Sequence, residues 1–263
     1  MLGGHMPAEA TTPVIEFRDV FYRIEQVQIL SGLNLQVEQG EILVLLGRSG
    51  SGKTTTLKLV NRLVTPTSGE IRVHGVPNGE VDVIRLRRAI GYVIQDVGLF
   101  PHFTVERNIG LVPRIEGWSE VRIRARVQEL LEMVRITGDL ASRYPRELSG
   151  GQRQRVGVAR ALAADPGILL MDEPFGALDP LTRDELQQEF LSLQQRLHKT
   201  VIFVTHDLRE ALCLGSRIAL MEAGRLVTVL SPREFLESAD PWAAAYVRAF
   251  GDALTSRGNR SKS

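Results

Sequence analysis

The sequence predicts an α/β protein in which a mostly parallel sheet is flanked by helices. Short, wholly apolar runs such as EILVLLG (residues 41–47) have the composition of buried parallel strands. Segments in which apolar residues recur every three or four positions, as on one helix face, separate these runs. This alternation is typical of helices packed on a parallel sheet. With 263 residues, 43% of them hydrophobic, the chain is long enough to bury a core.

Five apolar runs are the candidate strands, and the first of them ends in a glycine-rich loop. The others are IGYVI (90–94), GILLMD (167–172), TVIFVT (200–205) and RIALM (217–221). A helix is expected directly after the loop, from Lys53 to about Leu63. Another is expected from about Leu181, where four apolar residues share one face. They are Leu186, Phe190, Leu193 and Leu197.

The periodic segments between residues 95 and 158 are all helical, which predicts a helical insert in the α/β chain. Its clearest apolar face consists of Ile123, Val127, Leu130, Leu131 and Val134. A further helix is expected at residues 208–214.

The two ends of the chain have no pattern of a packed element. The tail from Gly251, GDALTSRGNRSKS, is polar, weakly basic and without an apolar period, which predicts a disordered segment over residues 251–263. The opening MLGGHM has no signal-peptide features, and its second methionine indicates that Met1 to His5 are a cloning remnant. We expect residues 1–13 to be disordered.

Composition excludes several classes of function. Lys plus Arg total 32 against 31 Asp plus Glu, so no overall field favours nucleic acid, and no nucleic-acid partner is expected. No apolar run approaches the roughly 18 to 20 residues that cross a bilayer. The single cysteine, Cys213, excludes an internal disulfide and a cysteine-built zinc site. We expect it to be a small buried hydrophobic residue.

GRSGSGKT (residues 47–54) fits the phosphate-binding pattern GxxxxGK[ST] between a predicted strand and a predicted helix. In such a loop the glycines allow backbone N–H groups to surround the β- and γ-phosphates. Lys53 adds a positive charge, and the Thr54 hydroxyl is able to ligate Mg²⁺. A chance turn is the alternative, and the strand-loop-helix context argues against it.

Other polar residues follow predicted strands and should meet at the same sheet edge. Asp172 and Glu173 end the run ILLMDE, where Asp172 would hold Mg²⁺ through its waters and Glu173 would orient and deprotonate an attacking water. Two acidic residues at the end of a strand more often lie in a solvated turn than in a functional site. The phosphate-binding loop upstream makes the functional site the favoured interpretation. His206 and Gln95 also follow strands, with a helix cap and a solvated turn as their alternatives.

A second glycine-rich segment, LSGGQ (residues 148–152), precedes a predicted helix. Ser149 is a candidate N-cap, and free N–H groups at a helix start can bind an anion. Without a lysine or a metal this is a weak site by itself, but it could close over a phosphate that is already held by a P-loop.

These motifs together resemble the ATP-binding cassette ATPases, in whose order and spacing they occur over about residues 14–230. The resemblance implies a RecA-like P-loop NTPase core, a small antiparallel β subdomain and an inserted helical subdomain. It implies the core and β subdomain at residues 14–94 and 159–230, the helical subdomain at 95–158, and C-terminal helices at 231–250.

In that family two copies pack head to tail around ATP, which implies a homodimer. Catalytic roles are then implied for Glu173, His206, Lys53 and Gln95, and Mg²⁺ contacts for Thr54, Gln95 and Asp172. The nucleotide would be bound by Gly47, Arg48, Ser49, Gly50, Ser51, Gly52, Lys53, Thr54 and Thr55 of one chain and by Ser149, Gly150, Gly151 and Gln152 of the other, with Asp179 coupling the two sites. The family stacks adenine on an aromatic residue where this chain has Ile24, and Tyr22 is the candidate substitute.

Two segments, TTTLKLVNRLVTPTSGEI and QDVGLFPHFTVERNIGLVPRIEGW, resemble the ATPase subunits of bacterial importers of glycine betaine, carnitine and choline. This resemblance implies integral-membrane permease subunits and, indirectly, a substrate-binding protein as partners, at the cytoplasmic face of the bacterial inner membrane. Candidate permease contacts are Phe100, Pro101, His102 and Phe103, although packing of this loop on its own subdomain is an equal alternative. The alternative functions are an ATPase that moves lipid or another hydrophobic solute, and a soluble cassette that acts as a switch outside transport.

Overall fold

The computed structural model describes residues 13–95, 97–176 and 178–260, with only the backbone described for 251–260. Within these residues the strands are β1 (Ile15–Ile24), β2 (Val27–Val37), β3 (Ile42–Leu46), β4 (Ser68–Val73), β5 (Val76–Pro77), β6 (Ile90–Val93), β7 (Ile168–Asp172), β8 (Thr200–Thr205), β9 (Arg217–Glu222) and β10 (Arg225–Leu230). The helices are α1 (Lys53–Val60), α2 (Val83–Arg88), α3 (Val105–Ile109), α4 (Leu111–Ile115), α5 (Glu120–Met133), α6 (Gly150–Leu162), α7 (Pro180–Leu197), α8 (Leu208–Leu214), α9 (Pro232–Leu236) and α10 (Pro241–Arg260).

The larger sheet has six strands in the order β10-β9-β3-β8-β7-β6. All of its pairs are parallel except β9 with β10. Every residue of β3, β7 and β8 is buried, as apolar runs without alternation predict for strands covered on both faces. The five predicted strands are confirmed, and the loops after their carboxyl ends lie at one edge of the sheet.

The smaller sheet has the order β2-β1-β4-β5 and is antiparallel. Its inner side chains, Phe17 and Leu33 among them, form one core with Leu57 of α1 and Leu45 of β3. The antiparallel sheet therefore packs on one side of the large sheet, and this arrangement confirms the predicted fold class.

The segment between β6 and β7 holds α3 to α6, which confirms the helical insert. The predicted apolar face of α5 is buried, together with Val134 just after the helix. These side chains share a core with the large sheet on the side opposite the antiparallel sheet, so the insert is fixed to the sheet by apolar packing.

Helix α1 ends at Val60, three residues before the predicted Leu63. Arg62 adopts a left-handed conformation with φ 52°, and the Leu63 N–H donates to the Lys58 carbonyl at 2.8 Å. These are the bonds of a Schellman cap, formed here without glycine, so nothing in the local sequence indicated the stop.

The expectation of a disordered tail from Gly251 is wrong for residues 251–260, because α10 continues to Arg260. No proline interrupts this segment, and adding a residue to an existing helix is far easier than starting a new one. Residues 261–263 lie outside the described part of the chain, as does the predicted remnant and disordered segment over residues 1–12.

Cys213 is exposed, which corrects the expectation of a buried residue. Helix α8 buries the face that carries Leu208, Ala211 and Leu214, and Cys213 lies on the other side of the helix. Within the described residues, no helix has both the length and the hydropathy needed to cross a membrane.

Candidate functional site

The loop between β3 and α1 is built around the Lys53 ammonium. Lys53 Nζ donates to the carbonyls of Gly47 and Arg48, each at 2.8 Å, and the side chain is buried. Burial lowers the pKa of Lys53, and the charges of Glu173, Asp172 and Glu222 oppose that effect. The charged amine is therefore held inside the loop and aimed by its own backbone.

Two glycines of this loop have no room for a side chain. A Cβ at Gly47 would lie 2.3 Å from the Met221 carbonyl oxygen, and one at Gly52 would lie 2.5 Å from Leu30 Cδ2. Gly52 also has φ 98°, a conformation that favours glycine. The close packing of the loop thus explains why glycine is needed at both positions.

The Thr54 hydroxyl donates to Asp172 Oδ1 at 2.9 Å across the gap between α1 and β7. Asp172 is 3% exposed, and burial raises the pKa of its carboxyl group. A hydroxyl and a carboxylate oxygen are ligands that suit a hard cation such as Mg²⁺. These two residues therefore fit a magnesium site.

Tyr92 of β6, which was not among the predicted site residues, belongs to the same cluster. Burial raises the pKa of Tyr92, as do the charge of Asp172 and a hydrogen bond to it. Within an apolar strand the residue has no motif around it, and only the pairing of β6 with β7 brings it near the carboxylate.

Glu173 and His206 lie next to each other at the ends of β7 and β8. His206 Nδ1 is 3.2 Å from Glu173 Oε2, and the Glu173 N–H donates to the Val204 carbonyl at 3.0 Å. Glu173 has φ 43°, a strained conformation for a residue other than glycine. The backbone thus holds this carboxylate in place at a cost of about 1–3 kcal/mol.

A cavity of about 560 Å³ lies at this sheet edge. Five of the predicted site residues line it: Arg48, Ser49, Gln95, Glu173 and His206. The structure thereby brings together loops that are up to 158 positions apart in the sequence. A basic loop on one side and a carboxylate-imidazole pair on the other can bind a phosphate group and deprotonate a water beside it.

The remaining wall of the cavity comes from α10, through Trp242, Ala245, Tyr246 and Ala249. Burial raises the pKa of Tyr246, whose hydroxyl has no hydrogen-bond partner within the described residues. No motif in the sequence indicates this wall, because α10 reaches the site through packing on α8 and α9.

Ser149 caps α6 but does not line this cavity. Its hydroxyl accepts from the Gln152 N–H at 3.2 Å, and Gln152 Oε1 accepts from the Ser149 N–H at 2.8 Å, which together form a capping box. Of the described residues, none from 148–152 is among those that line the cavity. A single chain therefore does not bring its own LSGGQ segment to its P-loop.

Two further predicted residues also lie away from the cavity. Asp179 is the N-cap of α7, where its carboxylate accepts from the Thr182 N–H at 3.1 Å. Tyr22 is partly buried in β1 against the core beneath the antiparallel sheet, and Ile24 at the end of β1 is 54% exposed. The role of Tyr22 at adenine stays a prediction.

The loop 100–103 projects a cluster of aromatic rings. The ring centroids of His102 and Phe103 are 4.6 Å apart, and those of Phe100 and Phe103 are 5.3 Å apart. Buried Asn108 holds the loop, donating to the carbonyls of Phe100 and Phe103 and accepting from the Phe100 N–H. Phe100, Pro101 and His102 are thereby held exposed on the surface.

The parallel sheet with a phosphate-binding loop after β3 defines a P-loop nucleotide-binding protein. A sequence profile of the ABC transporter family matches residues 30–176. The chain belongs to this family.

Proteins similar to this chain include bacterial ATP-binding proteins of uptake systems. The osmoprotectant import ATP-binding protein OsmV of Salmonella typhimurium is 53% identical over 213 residues, which are 81% of this chain and 56% of that protein. The glycine betaine uptake system ATP-binding protein YehX of Escherichia coli is 50% identical over 223 residues, which are 85% of this chain and 72% of that protein. The chain thus spans little more than half the length of OsmV.

Solved ABC cassettes share the fold. A dimeric cassette in a post-hydrolysis state, bound to ADP and Pi, superposes with a TM-score of 0.76 at 33% identity, covering 83% of this chain and 99% of that one. The cbiO1 protein of Clostridium perfringens, part of the ABC transporter complex cbiONQ, gives a TM-score of 0.80 at 27% identity, covering 95% and 99%.

Proposed function

We propose that this chain is the ATP-hydrolysing subunit of a bacterial ABC importer for quaternary-amine osmoprotectants such as glycine betaine, carnitine and choline. The observation that carries the proposal is the Glu173–His206 pair, which faces the P-loop across one cavity. ADP and Pi in a related cassette support a nucleotide as the ligand of that cavity.

In this proposal the P-loop binds the phosphates of ATP. Lys53 contributes a fixed charge, the backbone N–H groups of residues 47–52 contribute donors, and Thr54, Asp172 and Gln95 would hold Mg²⁺. When bound, the ion neutralises developing charge on the phosphates. Lys53 Nζ already lies inside the loop, and the Thr54 hydroxyl already contacts Asp172.

Glu173 is the general base. Its carboxylate accepts the proton of the attacking water, and the strained backbone at this residue fixes the carboxylate in the cavity. His206 lies against the same carboxylate and contacts the γ-phosphate, so water and phosphate are oriented together.

The working unit is a head-to-tail homodimer. Ser149 to Gln152 lie outside the cavity of their own chain, and the capped start of α6 can instead offer N–H groups to the γ-phosphate held by a second copy. Solved dimers of related cassettes support this arrangement. Hydrolysis removes the bridging phosphate, and the interface then loosens.

The partners in transport are integral-membrane permease subunits at the cytoplasmic face of the inner membrane, with a substrate-binding protein acting through them. The names of OsmV and YehX support the cargo class. The loop 100–103 is the proposed permease contact, because Asn108 holds the loop with Phe100 and His102 exposed. The import direction also rests on these relatives.

The substitution Glu173→Gln tests the catalytic assignment. It keeps the shape of the side chain but removes the base, so kcat for ATP hydrolysis should fall about 100- to 10,000-fold. ATP should still bind, and size-exclusion chromatography with Mg²⁺-ATP should detect a stable dimer. Lys53→Ala is the companion variant, which should lose nucleotide affinity instead. Full activity of the glutamine variant would remove Glu173 from the mechanism.

Transport measurements test the cargo. The chain should co-purify with a multi-span permease, and vesicles that contain both should accumulate labelled glycine betaine when ATP is supplied. Movement of labelled phospholipid in the same vesicles would favour the lipid alternative. An ATP-hydrolysing chain that co-purifies with no permease would favour a switch protein.

A further inference from the structure

Glu210 is a buried carboxylate behind His206. The residue lies in α8 and is 4% exposed. Its Oε2 accepts from the Thr205 hydroxyl at 2.6 Å, and its Oε1 accepts from the Gln187 amide at 3.2 Å. Burial raises the pKa of this carboxyl group. Placing an acid in this position is costly, so its contacts need an explanation.

The first contact orients the turn that carries His206. Thr205 is the last residue of β8, and its hydroxyl accepts from the Asp207 N–H at 3.0 Å while it donates to Glu210. A hydroxyl has only one hydrogen to donate, so the carboxylate decides which way that hydrogen points. Glu210 thereby fixes the residues on both sides of His206.

The second set of contacts reaches α7, which begins directly after Asp179. Arg183 of this helix has Nη1 at 3.6 Å from Asp207 Oδ2 and Nε at 3.9 Å from Glu210 Oε1. Its Nη2 also donates to the Leu178 carbonyl at 3.2 Å. Ion-pair contacts of Arg183 with Glu210 and Asp207 therefore connect the start of α7 to the residues that flank His206.

We propose that Glu210 is a positioning residue for ATP hydrolysis, which holds His206 against Glu173 and ties it to the segment 178–179. The inference rests on the proposed function, since it assumes that Glu173 and His206 act on ATP. Movement of the segment 178–179 when two chains meet is passed through Arg183 and Glu210 to the imidazole. Nucleotide binding needs no such link, because Glu210 does not line the phosphate-binding cavity.

The substitution Glu210→Ala tests this role in the full chain. We expect kcat for ATP hydrolysis to fall about 10- to 100-fold, the effect of removing a partner that orients a functional side chain. KM and the affinity for Mg²⁺-ATP should stay within about twofold of the wild type, because Glu210 does not line the cavity that binds the nucleotide. Glu210→Gln should restore most of kcat, because a glutamine can keep both hydrogen bonds once the Gln187 amide turns over.

The NMR signals of the histidine side chains distinguish a local effect on His206 from a general loss of stability. The His206 signal, identified by its absence in His206→Gln, should shift or broaden in Glu210→Ala, while those of His74, His102 and His198 stay unchanged. Glu237→Ala, at the exposed C-cap just after α9, is the matched control and should change neither kcat nor the His206 signal. If Glu210→Ala does not fold, Thr205→Val removes the same hydrogen bond with a smaller change in packing.

The outcomes separate this inference from the proposed function. An unchanged kcat or an unchanged His206 signal in the folded variant would overturn the role of Glu210, even with an active wild-type protein. Absence of hydrolysis by the wild-type chain would instead overturn the proposed function.

Discussion

At the scale of single residues, the buried Asp172 carboxylate lowers the folding stability of the protein. Asp172 accepts one hydrogen bond from Thr54, and the nearby charge of Glu173 adds to the effect of burial on its pKa. A carboxyl whose pKa is raised on folding binds its proton more tightly in the folded state. The charged form that would ligate Mg²⁺ therefore destabilises the fold.

The substitution Asp172→Asn should make the metal-free and nucleotide-free protein more stable. Stability of the wild type falls as the pH rises through the raised folded-state pKa of Asp172, and asparagine does not titrate. At neutral pH we expect Tm to rise by about 2 °C in a thermal scan, the equivalent of roughly 0.5–1 kcal/mol in a chain of this size. The gain should shrink as the pH falls through the raised pKa of Asp172, because the wild-type carboxyl then takes up its proton.

The same variant should lose the Mg²⁺ dependence of nucleotide binding. Asp139→Asn, at an exposed position, is the control and should change neither Tm nor binding. A lower Tm of Asp172→Asn at neutral pH would mean that the hydrogen bond from Thr54 and the attraction to Lys58 and Lys53 outweigh the cost of burial.

The residues that could be predicted are those with a motif. Lys53, Asp172 and Glu173 occur in patterns whose chemistry is readable from neighbouring residues in the chain. Tyr92 and Glu210 have no such pattern, because the contacts that give them a role join different strands and helices. For these residues only the fold supplies the partners.

At the scale of elements, the N-terminus of α6 has two roles. It caps the helix, and in the proposed function it binds the phosphate of a second copy. The capping box of Ser149 and Gln152 satisfies N–H groups of the first turn, and this cap alone is worth about 1 kcal/mol. Loss of the serine would therefore weaken the helix as well as any contact with a phosphate.

The substitution Ser149→Asp separates these two roles. Aspartate is as good an N-cap as serine, so thermal stability should be preserved. Its negative charge would face the γ-phosphate of the second copy, so the ATP-dependent dimer seen by size-exclusion chromatography should be lost. Ser149→Asn, which caps without the charge, is the matched control and should retain more of the dimer. Normal dimerisation of the aspartate variant would place this helix start away from the phosphate.

Element boundaries depend on more than local sequence. The buried strands were predicted within one or two residues, since a run of apolar residues is itself the cause of burial. The end of α1 was not predicted correctly, because Arg62, which is not a glycine, adopts the left-handed conformation that ends the helix. The course of α10 through residues 251–260 was also missed, because the apolar periodicity that identifies a helix is absent there.

At the scale of the whole molecule, the parallel pairing of β3, β6, β7 and β8 has the largest functional consequence. It directs the carboxyl ends of these strands to one edge, so the P-loop, Gln95, Glu173 and His206 meet at one cavity. The start of α6 remains outside it, and a second chain is needed to complete the proposed site.

Mixing two inactive variants should restore hydrolysis if the site is shared. In a dimer of Glu173→Gln with Ser149→Asp, one site contains both substitutions and the other contains neither. Phosphate release by the mixture should therefore exceed the sum of the two separate proteins several-fold. The control mixture combines Glu173→Gln with the double variant Glu173→Gln/Ser149→Asp. In that dimer both sites lack Glu173, so neither site is intact. Activity no greater than that sum would indicate self-contained sites.

The sequence by itself determined the α/β class, the five core strands and the motif residues, because apolar periodicity and glycine spacing act locally along the chain. Tertiary structure decided what those residues face: the wall that α10 adds to the cavity, the carboxylate behind His206, and the separation of Ser149 from its own P-loop. These features arise from packing between elements distant in sequence. Their energies depend on burial and on partners that no local pattern records.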